Sequence, residues 1–501
     1  MKTQNLKIFM ITVLGFLTLA GCSEDFLEVP PKGSSLESNY YKNEAEAYAG
    51  LVATYDVMRK FSGGFENMVT FFNAGSDDHV AGGGNATDGV GIQSFSNFTI
   101  DPNTIPQSYW SDFYQGIFRA NFLLTKLPDV PMDESSITRF TAETKALRGL
   151  YYFQLVKMFR NVPLITRPLE TAEFNEVPQA DPSEVYAQIE QDLNEAIASL
   201  PETVSGDQTG RFTKGAAQAL LGKVYLYQGK NDQAANILKE VNGTPGGTSQ
   251  YGYKLLDDYA DLWDPSNKFN SESILEVAHT AASSSGWGNW GSGSDEGNTI
   301  NIMVGPRSYT KITDDAPDLP SGWSFNPVLP DLYDELDGDP RFDATVLDLK
   351  ALVAEGAADY VPGYQDTGYF LNKFVPTRAD VTTGTGEPVL NYRQNTYVIR
   401  LADTYLMEAE ALGGTGARAQ ALLDAVRARV GLPSVPVSLA AIAAERRLEL
   451  AGEGHRFFDL VRTGKAAAAL ASRGFQAGKN EILPIPYREL QNTMIVQNPG
   501  Y

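Results

Sequence analysis

Residues 445–465 read ERRLELAGEGHRFFDLVRTGK, and no other stretch says more about the fold of this chain. Glu445 to Leu450 form a charged helical segment that ends at the Gly-Glu-Gly break of residues 452–454. A further helical turn, His455 to Arg462, follows and is closed by a glycine. The stretch therefore predicts two short helices joined by a tight glycine turn.

Two more helices precede this stretch. Apolar residues recur three and four apart over residues 401–412, which is typical of one face of a helix. Glycines within residues 413–416 interrupt that pattern, and a second apolar stripe covers residues 421–429 before Gly431 and Pro433 end it. Because the links are short, we expect antiparallel helical hairpins.

The C-terminal region also resembles a known family. Residues 445–465, LPIP at residues 483–486 and the ending QNPGY at residues 497–501 resemble the SusD/RagB family of outer-membrane nutrient-binding lipoproteins. The resemblance is specific because an Arg/Glu helix, a Gly-Glu-Gly break and a terminal QNPGY occur in this order. It implies a mainly α fold, in which about four tetratricopeptide-like helical hairpins form a scaffold. A loop-rich, few-stranded portion that binds the ligand would pack on one side of this scaffold.

The same resemblance implies a function. It predicts a receptor without catalytic activity that captures an oligosaccharide at the cell surface. The receptor would act as a lid that delivers the ligand to a SusC-like TonB-dependent transporter. The charged residues of 445–465 are expected to form ion pairs between helices and to anchor loops. This stretch therefore identifies the fold, and we do not expect it to be the binding site.

Composition limits the classes of function. The chain has 501 residues, of which 43% are hydrophobic, so it can bury a large core in one big domain or two closely packed ones. Its formal net charge of −22 argues against binding to nucleic acid and against electrostatic docking on anionic lipid. The single cysteine, Cys22, excludes an intrachain disulfide and a cysteine-based zinc cluster.

The N-terminal residues have the features of a bacterial lipoprotein. Two lysines and an apolar run over residues 8–19, too short to span a membrane, precede Leu19-Ala20-Gly21-Cys22, which resembles a lipobox. Cys22 would become the acylated first residue, and each buried methylene would contribute about 0.8 kcal/mol. Ser23-Glu24-Asp25 resembles the export tag of surface lipoproteins. We expect lipid anchoring at the outer face of the outer membrane; an ordinary signal peptide is the alternative.

Helical hairpins are predicted along much of the chain. The clearest repeat signal lies in residues 213–241, where Leu221, Gly222, Tyr225 and Ala234 have the spacing of a tetratricopeptide helix pair. The small residues of this set would let the two helices approach closely. The predicted pairs are residues 43–61 with 109–127, 136–159 with 183–199, the hairpin 213–241 and the hairpin 400–430.

These patterns divide the chain into five segments. Short strands are expected within residues 273–279 and 368–375, and residues 63–104 are expected to form a glycine-rich loop excursion. The segments are a lipoprotein signal peptide (1–21), a lipidated tether (22–42), the first part of the helical scaffold (43–242), an irregular insertion with ligand-binding loops (243–395) and the C-terminal part of the scaffold (396–501).

Loop tryptophans are the candidate ligand-binding residues. Residues 283–293 read SSSGWGNWGSG and place Trp287 and Trp290 among glycine and serine, while Trp323 follows Pro-Ser-Gly. Large rings on such segments suit stacking against the C–H face of a sugar, while polar neighbours bind its hydroxyls. The alternative is that these rings fix the loops to the protein's own surface.

Asp77, Asp78 and Arg378 are the candidate polar partners of a sugar. They lie on irregular segments, roughly where the resemblance places the binding loops of the family. Carboxylates and guanidinium groups form strong directional hydrogen bonds, which suits the recognition of hydroxyl groups. Structural ion pairs are the alternative role for these residues.

Sequence signatures of enzymes are missing. There is no Gly-x-Ser-x-Gly elbow, no phosphate-binding loop and no His-Glu-x-x-His motif. The carboxylate-rich residues 331–343 do not have EF-hand spacing and predict a capped helix followed by a turn. We therefore expect no metal and no cofactor. A glycoside hydrolase using a carboxylate pair such as Asp314-Asp315 stays an alternative, as does a receptor for peptides.

Overall fold

The computed structural model describes residues 41–292 and 294–501, and the elements below are numbered within them. The α-helices are α1 (Glu44–Tyr55), α2 (Met68–Ala74), α3 (Val90–Ser96), α4 (Ser108–Lys126), α5 (Glu134–Phe159), α6 (Pro182–Ser199), α7 (Lys214–Tyr227), α8 (Asn231–Asn242), α9 (Ile300–Val304), α10 (Pro330–Leu336), α11 (Phe342–Thr345), α12 (Leu349–Ala354), α13 (Leu401–Ala411), α14 (Gly416–Arg429), α15 (Leu439–Glu449), α16 (Arg456–Arg462) and α17 (Ala466–Ala469). The strands are β1 (Ser273–Val277), β2 (Thr310–Lys311), β3 (Val346–Asp348), β4 (Ala358–Asp359), β5 (Tyr369–Leu371) and β6 (Thr396–Arg400).

The longer helices pack side by side in a continuous series. Helix α5 packs against α4 and α6, α7 against α6 and α8, and α13 against α8 and α14, while α1 packs against α4 and α5. The predicted mainly α class is confirmed, and so are the four predicted helix pairs. This arrangement is consistent with a scaffold of tetratricopeptide-like hairpins.

Local sequence explains where these helices begin and how closely they pack. Helix α6 begins at Pro182, because the side chain of Asp181 accepts a hydrogen bond from the backbone N–H of Ser183 (2.8 Å). In the α7–α8 pair, a Cβ on Gly222 would lie 2.5 Å from Cγ of Leu238. Only glycine allows this approach, so the predicted close contact between the two helices is confirmed.

Residues 243–395 contain little regular structure, and their strands form two-stranded antiparallel pairs. Strands β2 and β4 pair, as do β3 and β5, while β1 pairs with β6 and places Leu275 opposite Ile399. Both predicted strand segments are confirmed. Because β6 runs directly into α13, its pairing with β1 ties the irregular residues to the C-terminal helices.

The prediction that residues 63–104 form only a loop is wrong in part. They include helices α2 and α3, which contribute the buried rings of Phe71, Phe72 and Phe95 to the core. Asn67 caps α2 by accepting a hydrogen bond from the N–H of Thr70 (3.0 Å). Each helix has only seven residues, too few to show helical periodicity between glycines.

A buried group of charges joins the C-terminal helices to the irregular residues. We call it the charged junction, and it comprises Glu272, Asp339, Arg341, Lys373, Arg400, Arg429, Glu445, Glu449 and Glu453. Arg400 pairs with Glu272 at 2.9 Å, Glu449 at 2.7 Å and Glu453 at 2.9 Å. Burial alone would raise the pKa of Glu449, but Arg429, Arg400 and Arg341 outweigh it and hold that pKa well below its usual range. The expected ion pairs of residues 445–465 are therefore confirmed.

The predicted lipidation site, Cys22, lies outside the described residues, as do the signal peptide and the first part of the tether. Within residues 41–292 and 294–501, no helix is long and apolar enough to cross a membrane.

Candidate functional site

The predicted tryptophans lie in contact with one another and form a tryptophan cluster of Trp287, Trp290 and Trp323. The rings of Trp287 and Trp323 are stacked, with centroids 6.1 Å apart and an interplanar angle of 24°. Trp290 meets both edge-on, with its centroid 5.6 Å from each. Two loops far apart in the sequence therefore build one aromatic surface.

The three rings differ in exposure. Trp287 is 55% exposed, although it is a large apolar side chain that proteins usually cover. Trp290 and Trp323 are partly buried, and the indole N–H of Trp290 donates a hydrogen bond to the hydroxyl of Thr299 (3.3 Å). The cluster thus has an anchored base and an open outer ring.

Phe65 contacts two rings of the cluster, and it was not identified from the sequence. Its centroid lies 6.0 Å from that of Trp290 and 6.4 Å from that of Trp323. Its other neighbour is the buried ring of Phe325, at 5.2 Å. The sequence signal was weak, because Phe65 is a single aromatic residue in a glycine-rich segment.

Hydrogen bonds brace the loop that carries Trp287 and Trp290. The hydroxyl of the buried Ser285 donates to the carbonyl of Ser294 (2.6 Å). The carboxylate of Asp295 accepts from the N–H of Gly291 (2.8 Å), and burial raises the pKa of Asp295. A Cβ on Gly64 would lie 3.2 Å from the Cα of Gly291, so this pair of glycines lets two loops touch. The tryptophans are thus presented on a fixed loop.

An arginine and a carboxylate lie at the edge of the cluster, and neither was singled out from the sequence. Arg307 donates a hydrogen bond to the backbone carbonyl of Trp323 (2.8 Å) and lies 3.9 Å from the carboxylate of Asp88. About a third of each side chain is exposed, 35% for Arg307 and 34% for Asp88. Both can therefore reach a polar ligand that covers the rings.

The structure gives Asp77 and Asp78 a structural environment, so we revise their predicted role in binding. Both carboxylate oxygens of Asp77 accept hydrogen bonds from Arg456, each at 2.7 Å. Asp78 is fully buried and accepts from Arg447 at 2.7 Å. Carboxylates held in this way attach the segment after α2 to the C-terminal helices, which is the structural role given above as the alternative.

Arg378 lies on the surface next to the segment that leads to Trp323. Its guanidinium donates to the carboxylate of Asp318 and to the carbonyl of Leu319, both at 2.9 Å. The Arg378–Asp318 pair is more than half exposed. Among the described residues, neither the side-chain hydrogen bonds of Arg378 nor its ion pair involve one of the three indoles.

The arrangement suits binding through ring surfaces and hydrogen bonds. Exposed indoles offer apolar faces, and the Arg307–Asp88 pair offers a donor and an acceptor beside them. Within residues 41–292 and 294–501, no group of three or more His, Cys, Asp or Glu side chains could hold a metal ion.

Comparison with known proteins identifies the family. Residues 334–501 match the model of the SusD family, and residues 25–226 match a model described as "Starch-binding associating with outer membrane". A solved structure named "Laminarin binding SusD-like protein" is 81% identical, with a TM-score of 0.92, over 92% of this chain and 100% of that one. The chain belongs to the SusD family.

More distant relatives resemble this chain over nearly its whole length. Surface glycan-binding protein A from Bacteroides thetaiotaomicron, solved in complex with laminarihexaose, is 26% identical with a TM-score of 0.81 and covers 91% of this chain and 99% of its own. SusD-like protein P25 of Formosa agariphila is 26% identical over the full length of both chains. The resemblance seen in residues 445–501 thus extends along the chain.

Proposed function

We propose that this SusD-family protein is a cell-surface, lipid-anchored receptor that binds an oligosaccharide of the laminarin type at its tryptophan cluster. One observation carries the proposal: the outermost indole of a braced aromatic cluster is 55% exposed. Removal of such a ring from water by a bound ligand is favourable, and the flat C–H face of a pyranose can stack on it. The relative that is 81% identical and named for laminarin binding supports the choice of ligand.

Each part of the cluster has a role in this proposal. Trp287 and Trp323 stack against sugar rings, Trp290 holds the two in place, and Arg307 and Asp88 bind hydroxyl groups at the edge. The protein binds the glycan without cleaving it and passes it to a SusC-like TonB-dependent transporter in the outer membrane. The family description that names association with the outer membrane supports this location.

Titration of the soluble protein, beginning after Cys22, with laminarihexaose tests the ligand. We expect saturable binding in isothermal titration calorimetry without any transporter present, and no new reducing ends after prolonged incubation. Absence of saturable binding would contradict the proposal. Shorter products would instead support a glycoside hydrolase, and saturable binding to a protein digest in place of glycans would support a peptide receptor.

A second experiment tests anchoring. Cys22→Ala removes the only thiol, so we expect the variant to leave the outer membrane with an unchanged melting temperature. Membrane attachment of that variant would contradict lipid anchoring at Cys22.

A separate experiment tests the transporter partner. Affinity purification of the lipidated protein from solubilised outer membranes should also recover a TonB-dependent transporter. Its absence under mild detergent conditions would contradict that part of the proposal.

A further inference from the structure

A cleft lies beside the tryptophan cluster and has no assigned role. Its volume is about 530 Å³, within the range of small-molecule sites in proteins. Residues 89–92 and 102–107 line it together with Pro486, Tyr487 and Arg488. The N–H of Tyr487 donates to the carbonyl of Pro102 (2.8 Å), and Gln107 donates to Glu489, so these segments are tied together.

Phe65 is shared by this cleft and the tryptophan cluster. Its ring contacts Trp290 and Trp323, and it also lines the cleft. On the cleft side, a Cβ on Gly89 would lie 2.5 Å from this ring, so glycine there lets the loop rest against it. The cleft and the tryptophan cluster are therefore separated by a single aromatic ring.

The surface of the cleft combines apolar and polar groups in the way that sugars require. Val90 is 56% exposed and Tyr487 is 52% exposed. Exposed polar side chains lie among them, namely Glu66, Asn103 and Arg488. Arg488 is exposed and lines the cleft, so its guanidinium can reach a ligand there.

We propose that this cleft holds additional sugar-binding subsites, occupied by the part of a longer glycan that extends beyond the tryptophan cluster. The phenol ring of Tyr487 stacks against a sugar, and Asn103, Glu66 and Arg488 bind its hydroxyl groups. This inference rests on the proposed function, because it assigns the cleft to the same glycan chain that covers the indoles. It predicts that affinity rises with glycan length.

The experiment compares short and long laminarin oligosaccharides on the full soluble protein. The variant Tyr487→Ala should bind a trisaccharide as the parent does, but bind a long oligosaccharide about five- to tenfold more weakly, the scale of one aromatic contact. Tyr487→Phe keeps the ring and should restore most of that affinity. Phe174→Ala is the control, because Phe174 is similarly exposed, at 58%, and does not line the cleft.

The outcomes separate this inference from the proposed function. If Tyr487→Ala binds long and short oligosaccharides like the parent, while Trp287→Ala still weakens both, the cleft is not a subsite and the cluster stands. An equal loss for short and long ligands would also overturn the inference, since the effect would not depend on length. If the parent binds no laminarin oligosaccharide at all, the proposed function itself fails.

Discussion

The charged junction and the tryptophan cluster are both built from segments distant in sequence, yet their chemistry differs. In the junction, Arg341 and Arg400 are fully buried and their guanidinium groups pair with several carboxylates. In the cluster, the outer indole of Trp287 is 55% exposed and lies on a loop that hydrogen bonds hold in place. A dense group of buried, paired charges marks what holds the fold together. A supported but uncovered apolar surface marks where a ligand can bind.

The largest effect is expected when the junction loses a cation. Arg400→Met removes the cation shared by Glu272, Glu449 and Glu453, so the buried junction loses a positive charge that the remaining cations only partly replace. Breaking a buried ion pair from one side costs about 3–5 kcal/mol, so the free energy of unfolding should fall by this amount. Denaturation in urea, followed by circular dichroism, measures it.

Arg378→Met is the matched control for that change. It removes an arginine from an ion pair that is more than half exposed, which typically contributes about 0–1 kcal/mol. If Arg378→Met destabilises the protein as much as Arg400→Met does, burial is not what distinguishes the junction.

Lowering the pH from 7 to 5 should reduce the free energy of unfolding. Burial lowers the pKa of His79, His279 and His455 to about 4, against about 6.5 for an unperturbed histidine. As the pH falls from 7 to 5, the unfolded chain takes up protons that the folded chain does not, so stability is lost. We expect unfolding at pH 5 to require about 3–5 kcal/mol less than at pH 7.

The indoles carry no titratable group, so their stacking contribution to glycan affinity should hold over the same pH range. Unfolding and calorimetric titrations at both pH values measure the two quantities. A free energy of unfolding that does not change between pH 7 and pH 5 would contradict the assignment of these histidines as buried and neutral.

A smaller loss of stability is expected from overpacking the helical scaffold. Gly222→Leu places a side chain where even a Cβ would lie 2.5 Å from Leu238. Overpacking of this kind costs about 1–3 kcal/mol, which thermal unfolding detects. Asn236→Leu introduces the same side chain at an exposed position of α8 and should leave the melting temperature nearly unchanged. Equal melting temperatures for the two variants would rule out a close contact at Gly222.

The sequence was informative about the scaffold because its signals are local. Periodic apolar residues, the Asp181 cap and glycines at helix ends located the helices near their observed bounds. The two seven-residue helices within residues 63–104 were missed because so short a segment shows no period. Their stability comes from burial of their phenylalanines, which depends on the rest of the fold.

The candidate site was predictable only in part. The Gly/Ser-rich context of Trp287 and Trp290 shows in one stretch of sequence, so these tryptophans could be proposed. Their contact with Phe65 and Arg307 depends on tertiary structure and leaves no local pattern. For the same reason the ion pair of Asp78 could not be predicted, since its arginine partner lies 369 residues away in the chain.

Replacing the exposed ring, Trp287→Ala, tests the central claim most directly when affinity and stability are measured together. An aromatic contact contributes about 0.5–1.5 kcal/mol, so affinity for laminarihexaose should fall about tenfold while the melting temperature changes little. Phe118→Ala is the control, because Phe118 lies on the helical scaffold and is also 55% exposed. It should change neither the affinity nor the melting temperature. Unchanged affinity in Trp287→Ala, or a loss that merely follows a large drop in melting temperature, would contradict the assignment of the tryptophan cluster as the binding site.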